Sequence, residues 1–249
     1  GVASGSPAIT GWNPSGVQNV LVSWNALTIG TPDMMDEVRI STVARYTTNF
    51  TPPRRLLDEA NTALMLHFDE MSGVTAADSS GNGNTGTLTG GVNNHIQITQ
   101  GSHTSGGGVP PSSAFQNQTT GYITAAHSAS LSSAARANMT LEAWIHPLAS
   151  GVAMSVVRKL GAYELSVSAT GVLEITLDGV TALTTCGGAA SVLPNAWSHV
   201  AAVYKGAAGT IKLCSILGIF IAFGIIVLAV ISTTENHMMY LNALGIMLV

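Results

Sequence analysis

The chain has 249 residues, a formal net charge of −4, only 9% charged residues and 27 glycines. Nine Lys plus Arg with no basic run exclude a nucleic-acid surface, which needs clustered cations to displace counterions. So few charges among so many Gly, Ser, Thr, Ala and Asn suit short strands joined by turns and argue against long helices.

In chain order, residues 1–53 alternate short apolar runs with Gly, Pro and Asn. "VQNVLVSW" (17–24), "ALTIG" (26–30) and "MDEVRI" (35–40) each read as a strand between turn signals. In the last, Val38 and Ile40 share one face while Glu37 and Arg39 share the other, the alternation of a half-buried strand. "TTNFTPPRR" (47–55) breaks the pattern with paired prolines, which donate no ladder hydrogen bonds, and reads as a linker. A second unit opens with the apolar strand "NTALMLHFDE" (61–70) and continues into "DSSGNGNTGTL" (78–88), whose Gly, Asn and Asp build tight turns. Residues 90–113 read as loop. Strands resume with "GYITAA", "MTLEAWIHP", "SVVRKL", "YELSVSA", "VLEITLDG" and "WSHVAAVYKG". Tyr163, Leu165 and Val167 mark one buried face, and Val172 or Leu173 with Ile175 and Leu177 another. Strands at this spacing indicate an all-β sandwich or jelly roll.

Composition then changes. Residues 213–232, "LCSILGIFIAFGIIVLAVIS", carry no charge and are long enough to cross a bilayer as a helix. Three readings stand for this hydrophobic helical segment, 214–249: a membrane anchor, the core of a filament, or an artefact of frame or fusion. The flanks, Lys212 and Glu235, are too bare to set an orientation. Cys186 and Cys214 lack metal-ligand spacing; they either form one disulfide or sit as two small buried hydrophobes. The chain starts at Gly1 without Met or signal peptide, as a processed or truncated product does.

"LHFDEMSGVTAADSSGNGNTGTL", "MTLEAWIHP", "YELSVSATGVLEITLDG" and "NAWSHVAAVYKGAAGTIKL" together resemble a laminin-G-like, concanavalin A-like jelly-roll domain. They stand for its opening strand, its Trp-bearing strand, its central hairpin and its "W-x-H-V-A" strand. After Leu213 the family pattern stops, and residues 1–41, with "ALTIG" and "DEVRI", resemble the strands that normally close the domain. The implied organisation is closing strands plus linker in 1–53, a jelly roll lacking its last strands in 54–213, and the hydrophobic segment after it. The "RYTTNFTPP" joint is similar to linkers between tandem copies in bacterial surface proteins and phage virion proteins. An incomplete sandwich exposes unpaired edges. Residues 1–41 are therefore expected to complete the sheets, either within the chain or in a neighbouring copy, with Val38 and Ile40 packed near Trp144 and Trp197. A fragment of a longer array is the plain alternative.

Glucanases of this fold carry paired carboxylates on alternate positions of one strand, since residues i and i+2 face the same side. No such pair stands here: Asp36 and Glu37 are adjacent, and Glu142 has no second carboxylate beside it. No G-x-S-x-G elbow supports a Ser/His/Asp site either. His146 and His199 each follow a Trp by two residues and are read as packing beside it. The resemblance implies one rim calcium, for which Asp69, Asp78 and Asn82 are the candidate oxygen ligands, with Asn84 nearby; "DSSGNG" is equally good turn chemistry. For a sugar ligand, Trp12 and His103 lie in loop-like regions. The three N-x-S/T sequons matter only in a glycosylating pathway. The expected function is a non-catalytic binding or structural module of a surface-exposed fibre or adhesin, on a cell surface or virion. Its rim loops would meet a glycan or a host or cell-surface protein, with homo-oligomers or repeat neighbours as further partners. The alternatives are a filament subunit joined by strand complementation, and a glycan-active hydrolase.

Overall fold

The computed structural model describes residues 18–24, 34–48, 50–70, 72–89, 95–97, 113–116, 121–133, 138–147, 153–177, 180–182, 192–206 and 210–217. In order these form β1 (Val20–Trp24), β2 (Met34–Ser41), β3 (Thr62–Leu66), β4 (Thr75–Ala76), β5 (Gly86–Thr89), β6 (His95–Gln97), β7 (Ser113–Gln116) and β8 (Tyr122–Ala125). After the short α1 (Ala129–Ser133) come β9 (Asn138–His146), β10 (Met154–Lys159), β11 (Tyr163–Val167), β12 (Leu173–Leu177), β13 (Val180–Ala182), β14 (Ser198–Lys205) and β15 (Thr210–Leu217). One sheet runs β13-β12-β11-β10-β1-β8-β5-β4; the other runs β15-β14-β9-β2-β7-β6, with β3 also on β2. Every named pairing is antiparallel, which gives the all-β sandwich the sequence predicts.

The β11–β12 hairpin shows how pattern becomes structure. Tyr163, Leu165 and Val167 are buried and pair with Leu177, Ile175 and Leu173, which are buried too, while Glu164, Ser166, Glu174 and Thr176 face outward. Gly171, at φ 80°, turns the chain, and Ser168 N–H donates to the Val172 carbonyl at 2.8 Å to close the loop. Both predicted faces lie in the single large core between the sheets.

The N-terminal strands sit inside this sandwich. β1 is sandwiched between β10 and β8, with Val22 opposite Val157 and Ile123. β2 lies between β9 on one side and β3 with β7 on the other. Both therefore occupy central positions, and the edges that residues 54–213 would leave bare are paired within the chain. The first compact unit spans Gly1–Ile219; the second, Phe220–Val249, lies outside the described residues.

Four details differ from the sequence reading. The pairing of β2 with β9 shifts register between Asp36 and Arg39, and Glu37 sits at φ 53°, a β-bulge. The extra residue turns Asp36, Glu37 and Arg39 to the outer side while Met35, Val38 and Ile40 stay in the core. β2 is buried on both faces, not half-buried, because the strap formed by residues 42–48 and 50–57 folds back over its polar side. Second, Val38 and Ile40 do not pack with Trp144 and Trp197. Ile40 lies opposite Leu141 in the inter-sheet core, whereas alternation along β9 puts Trp144 on the other face, in a separate cluster with Trp197 and Met34. Third, β6 interrupts the stretch read as loop and pairs with β7.

The fourth concerns the apolar run. β15 continues through Leu217, pairing Leu213 with Ala202 and Leu217 with Ser198, so the first residues of the segment expected to be helical are strand. The hairpin with β14 satisfies their backbone groups, and Leu213 is fully buried in the core. Residues 218–249 lie outside the described residues. Among the described residues no helix is long and apolar enough to cross a membrane.

Candidate functional site

The turn after β4 builds one wall of the site. Asp78 organises it: Oδ1 accepts from the Met65 and Ser80 amides at 2.9 and 3.0 Å, and Oδ2 accepts from Ser80 Oγ and the Asn84 amide, both at 2.8 Å. Gly81 and Gly83 take φ of 78° and 71°, conformations that L side chains rarely adopt. Asn82 Nδ2 donates to the Thr62 carbonyl at 2.9 Å, and Asn84 Nδ2 donates to the Ala63 carbonyl at 2.7 Å and to Ser130 Oγ at 2.9 Å. These bonds draw the turn, the start of β3 and α1 together.

The strap builds the opposite wall, and Arg45 is its clamp. Its Nε donates to Ser41 Oγ at 2.6 Å, its Nη2 to the Ala60 carbonyl and to Thr62 Oγ1, each at 3.1 Å, and its Nη1 to Glu59. The Arg45 amide donates to Thr140 Oγ1 at 3.0 Å. Between the walls lies an open cleft of about 480 Å³ lined by Thr42, residues 58–63, Ser80, Asn82 and Ser130. Hydroxyls, amides and the Asp58 and Glu59 carboxylates dominate it; among the described residues no aromatic ring and no cation lines it.

A charged network under the strap holds this wall in place. Arg39 Nε donates to Glu142 Oε1 at 2.7 Å, its Nη1 to the Leu57 carbonyl at 2.7 Å and its Nη2 to the Tyr46 hydroxyl at 3.4 Å. The Tyr46 hydroxyl donates to Glu142, and His199 Nε2 lies 3.2 Å from Glu142 Oε2. Burial pushes the Glu142 carboxyl up. The His199 hydrogen bond and charge, with those of Arg39, outweigh it and hold the group below the usual glutamate range. Burial and the Glu142 charge raise the Tyr46 phenol, which stays protonated. Tyr46 stacks on Phe50 at 3.6 Å between centroids, and both rings meet His199 edge-on. Glu142 thus has partners that its sequence neighbourhood does not disclose, and none of it is open to a substrate.

A second acidic cluster lies at the bulge. The Glu37 carboxylate accepts from the Leu56 amide at 2.7 Å and meets His67 Nδ1 at 2.9 Å. Burial, then the charges of Glu37 and Asp69, raise the Asp36 carboxyl well above its ordinary value. Asp69 accepts from Arg55 Nη1 at 2.6 Å. The calcium candidates are thus engaged in separate networks: Asp69 with Arg55, and Asp78 and Asn82 within their turn. Among the described residues no three or more His, Cys, Asp or Glu are grouped as metal ligands.

The Trp–His pairing is cross-strand. Trp144 meets His199 and His146 meets Trp197, each at 5.4 Å between centroids, and Trp144 Nε1 donates to the Pro53 carbonyl at 3.0 Å. Trp12, His103 and Cys186 lie outside the described residues. Of the sequence candidates that lie among the described residues, Asn82 alone lines the cleft. Thr42, Arg45, Asp58 and Glu59 lie in or beside the stretch read as a linker and its joint, where an Arg followed by Tyr, with Phe nearby, among turn residues was the available signal.

Residues 117–214 match the family model of the concanavalin A-like lectin/glucanases superfamily, a laminin-G-type model. No curated protein and no solved structure matches the chain.

Proposed function

We propose, from a chain whose residues 117–214 carry a laminin-G-like, concanavalin A-like jelly roll, that it is a non-catalytic binding module whose ligand enters the cleft between the strap and the Asp78 turn. Domains of this superfamily are in general carbohydrate- or partner-binding modules, and the finer reading is recognition of a glycan by a surface-exposed fibre or adhesin. One observation carries it. A cleft of about 480 Å³ presents Thr42, Asn61, Thr62, Ser80, Asn82 and Ser130, groups that match sugar hydroxyls. Its walls are fixed by Asp78 and Arg45 before any ligand arrives, which lowers the ordering cost of binding. With no aromatic platform among the described residues of the cleft, affinity rests on hydrogen bonds, and dissociation constants near the millimolar end are expected. Glu142, the carboxylate on the Trp-bearing strand, is fully buried in its ion pair with Arg39, which supports binding over hydrolysis. Pairing of β1 and β2 inside the chain supports completion of the fold without a second copy.

The test is a glycan array followed by titration of hits against the protein and against Ala60→Trp. Ala60 is exposed at the cleft and contributes only its carbonyl to the clamp, so the indole fills the site without entering the core. Binding is expected to disappear while the melting temperature stays put, and no new reducing ends appear on the bound sugar. Undiminished binding by Ala60→Trp removes the cleft as the site, and turnover of the sugar removes the non-catalytic reading.

A further inference from the structure

Among the described residues two carboxylates line the cleft, and the cations beside it, Arg39 and Arg45, are each paired with a carboxylate. The Glu59 side chain, 51% exposed, is held by Arg45, which also donates to Ser41, Ala60 and Thr62. Arg39 approaches Glu59 Oε2 at 3.9 Å, but its charge is matched by Glu142 and its other nitrogens face Leu57 and Tyr46. Asp58 is exposed and makes no ion pair among the described residues. Taken in pairs, Arg45 offsets Glu59 and Arg39 offsets Glu142. Asp58 is left over, facing a cleft whose lining contains no Lys, Arg or His among the described residues.

We propose that the cleft selects polyhydroxylated ligands bearing a free amine and rejects those bearing a carboxylate or sulfate. This rests on the cleft being the ligand site. A hydroxyl-rich lining alone is indifferent to charge, since hydroxyls and amides both donate and accept. An ammonium placed near Asp58 gains a solvated ion pair. An acidic sugar there meets like charge and finds no guanidinium to turn towards it, because a clamped Arg45 would have to abandon its bonds to Ser41, Glu59 and Thr62. A lone exposed pair is worth little, so the amine preference is expected between about 1.4-fold and about fivefold at low salt. It falls as salt screens the charge.

The experiment titrates the whole protein with three probes, followed by amide NMR shifts or calorimetry: a glucosamine tetramer, its N-acetylated counterpart and a tetramer of a uronic acid. Wild type, Asp58→Asn and Asp58→Lys are compared. Asp58 is exposed and makes no hydrogen bond among the described residues, so neither variant is expected to disturb the fold, which equal melting temperatures check. The proposal expects the order amine, then acetylated, then uronate; loss of the amine preference in Asp58→Asn; and inversion in Asp58→Lys. Equal binding of all three probes at the cleft, or the same order in Asp58→Lys, overturns charge selection and leaves the cleft standing as a neutral glycan site. If no probe shifts the amides of Asn61, Asn82 and Ser130, the cleft reading and this proposal fall together.

Discussion

The Arg39–Glu142 pair is the sharpest test of how the strap is held. Their side chains are 4% and 0% exposed and joined at 2.7 Å. Removing one partner, as in Glu142→Gln or Arg39→Met, leaves the other charge buried, which costs roughly 3–5 kcal/mol. For a unit of this size that lowers the melting temperature by roughly 6–20 °C. Replacing both by Met removes two desolvation penalties with one attraction, so the double variant is expected to be no worse than either single one. Its remaining cost lies in the Leu57 carbonyl, Tyr46 hydroxyl and His199 Nε2 that lose a partner. The coupling energy from the cycle is then about 3 kcal/mol or more, read from urea midpoints at equal m-values. Acid adds a second readout. The Glu142 carboxyl sits below its unfolded value, so its contribution is present above about pH 4.3 and is lost as pH falls through the folded value. Glu142→Gln is therefore expected to flatten the acid limb of stability. Additive single costs, or single costs under about 1 kcal/mol as solvated pairs show, would refute the picture of a dry pair under a fixed cover.

Three further outcomes follow from other parts of the fold. Asp36 has the opposite sign to Glu142: its folded value is raised, mainly by burial, so its ionisation costs stability as pH climbs above about 3.9 through the folded value. Asp36→Asn should raise the urea midpoint at pH 7 and leave it unchanged near pH 3; no gain at pH 7 would mean the carboxylate is better solvated than its burial implies. Gly86→Ala places a Cβ 2.5 Å from Ile123 Cγ2, an overlap expected to cost about 1–3 kcal/mol in a thermal melt; Ile123→Ala deletes Cγ2, so Gly86→Ala with Ile123→Ala should cost less than the two single changes added together. A chain lacking residues 1–41 loses central strands of both sheets and is expected to show no cooperative unfolding until a peptide of residues 18–41 is added. Cooperative unfolding of the shortened chain at the full-length midpoint would show that the strands are accessory.

Much of the fold was legible because strand period and burial agree. Tyr163, Leu165, Val167 and their partners on β12 alternate in the sequence and alternate in the sandwich. The misreadings share one cause: alternation tells which residues share a face but not what covers that face. Glu37 and Arg39 looked solvent-facing because they are charged, and Trp144 and Trp197 looked inward-facing because they are large. Both sets lie on the same outer side, beneath or beside residues 42–57. The bulge at Glu37 compounds this, since an inserted residue changes facing without leaving a mark in composition. The cleft was less legible still, because its lining comes from four chain segments (Thr42, 58–63, the Asp78 turn and α1) whose approach depends on tertiary bonds.

A linker was expected between β2 and β3, and a third layer stands there. Antiparallel pairing of β2 with β3 means that the chain must leave the sheet after Ser41 and re-enter it at Thr62 beside its own exit. The intervening residues can return only over one face, and the side chains β2 offers on its outer side decide which segments are held. Arg39 takes the Leu57 carbonyl and Glu37 takes the Leu56 amide, so the strap is tied to the sheet through its backbone, where side-chain changes in the strap touch the bond least. Tyr46 and Phe50 then close over His199 and Glu142, which excludes water from the pair that anchors them. The Arg45 clamp uses the same return to shape residues 58–62 into a cleft wall. Completion of the sandwich and formation of the cleft wall are thus one event, and a ligand bound in the cleft would stabilise the whole unit by mass action, not the loop alone.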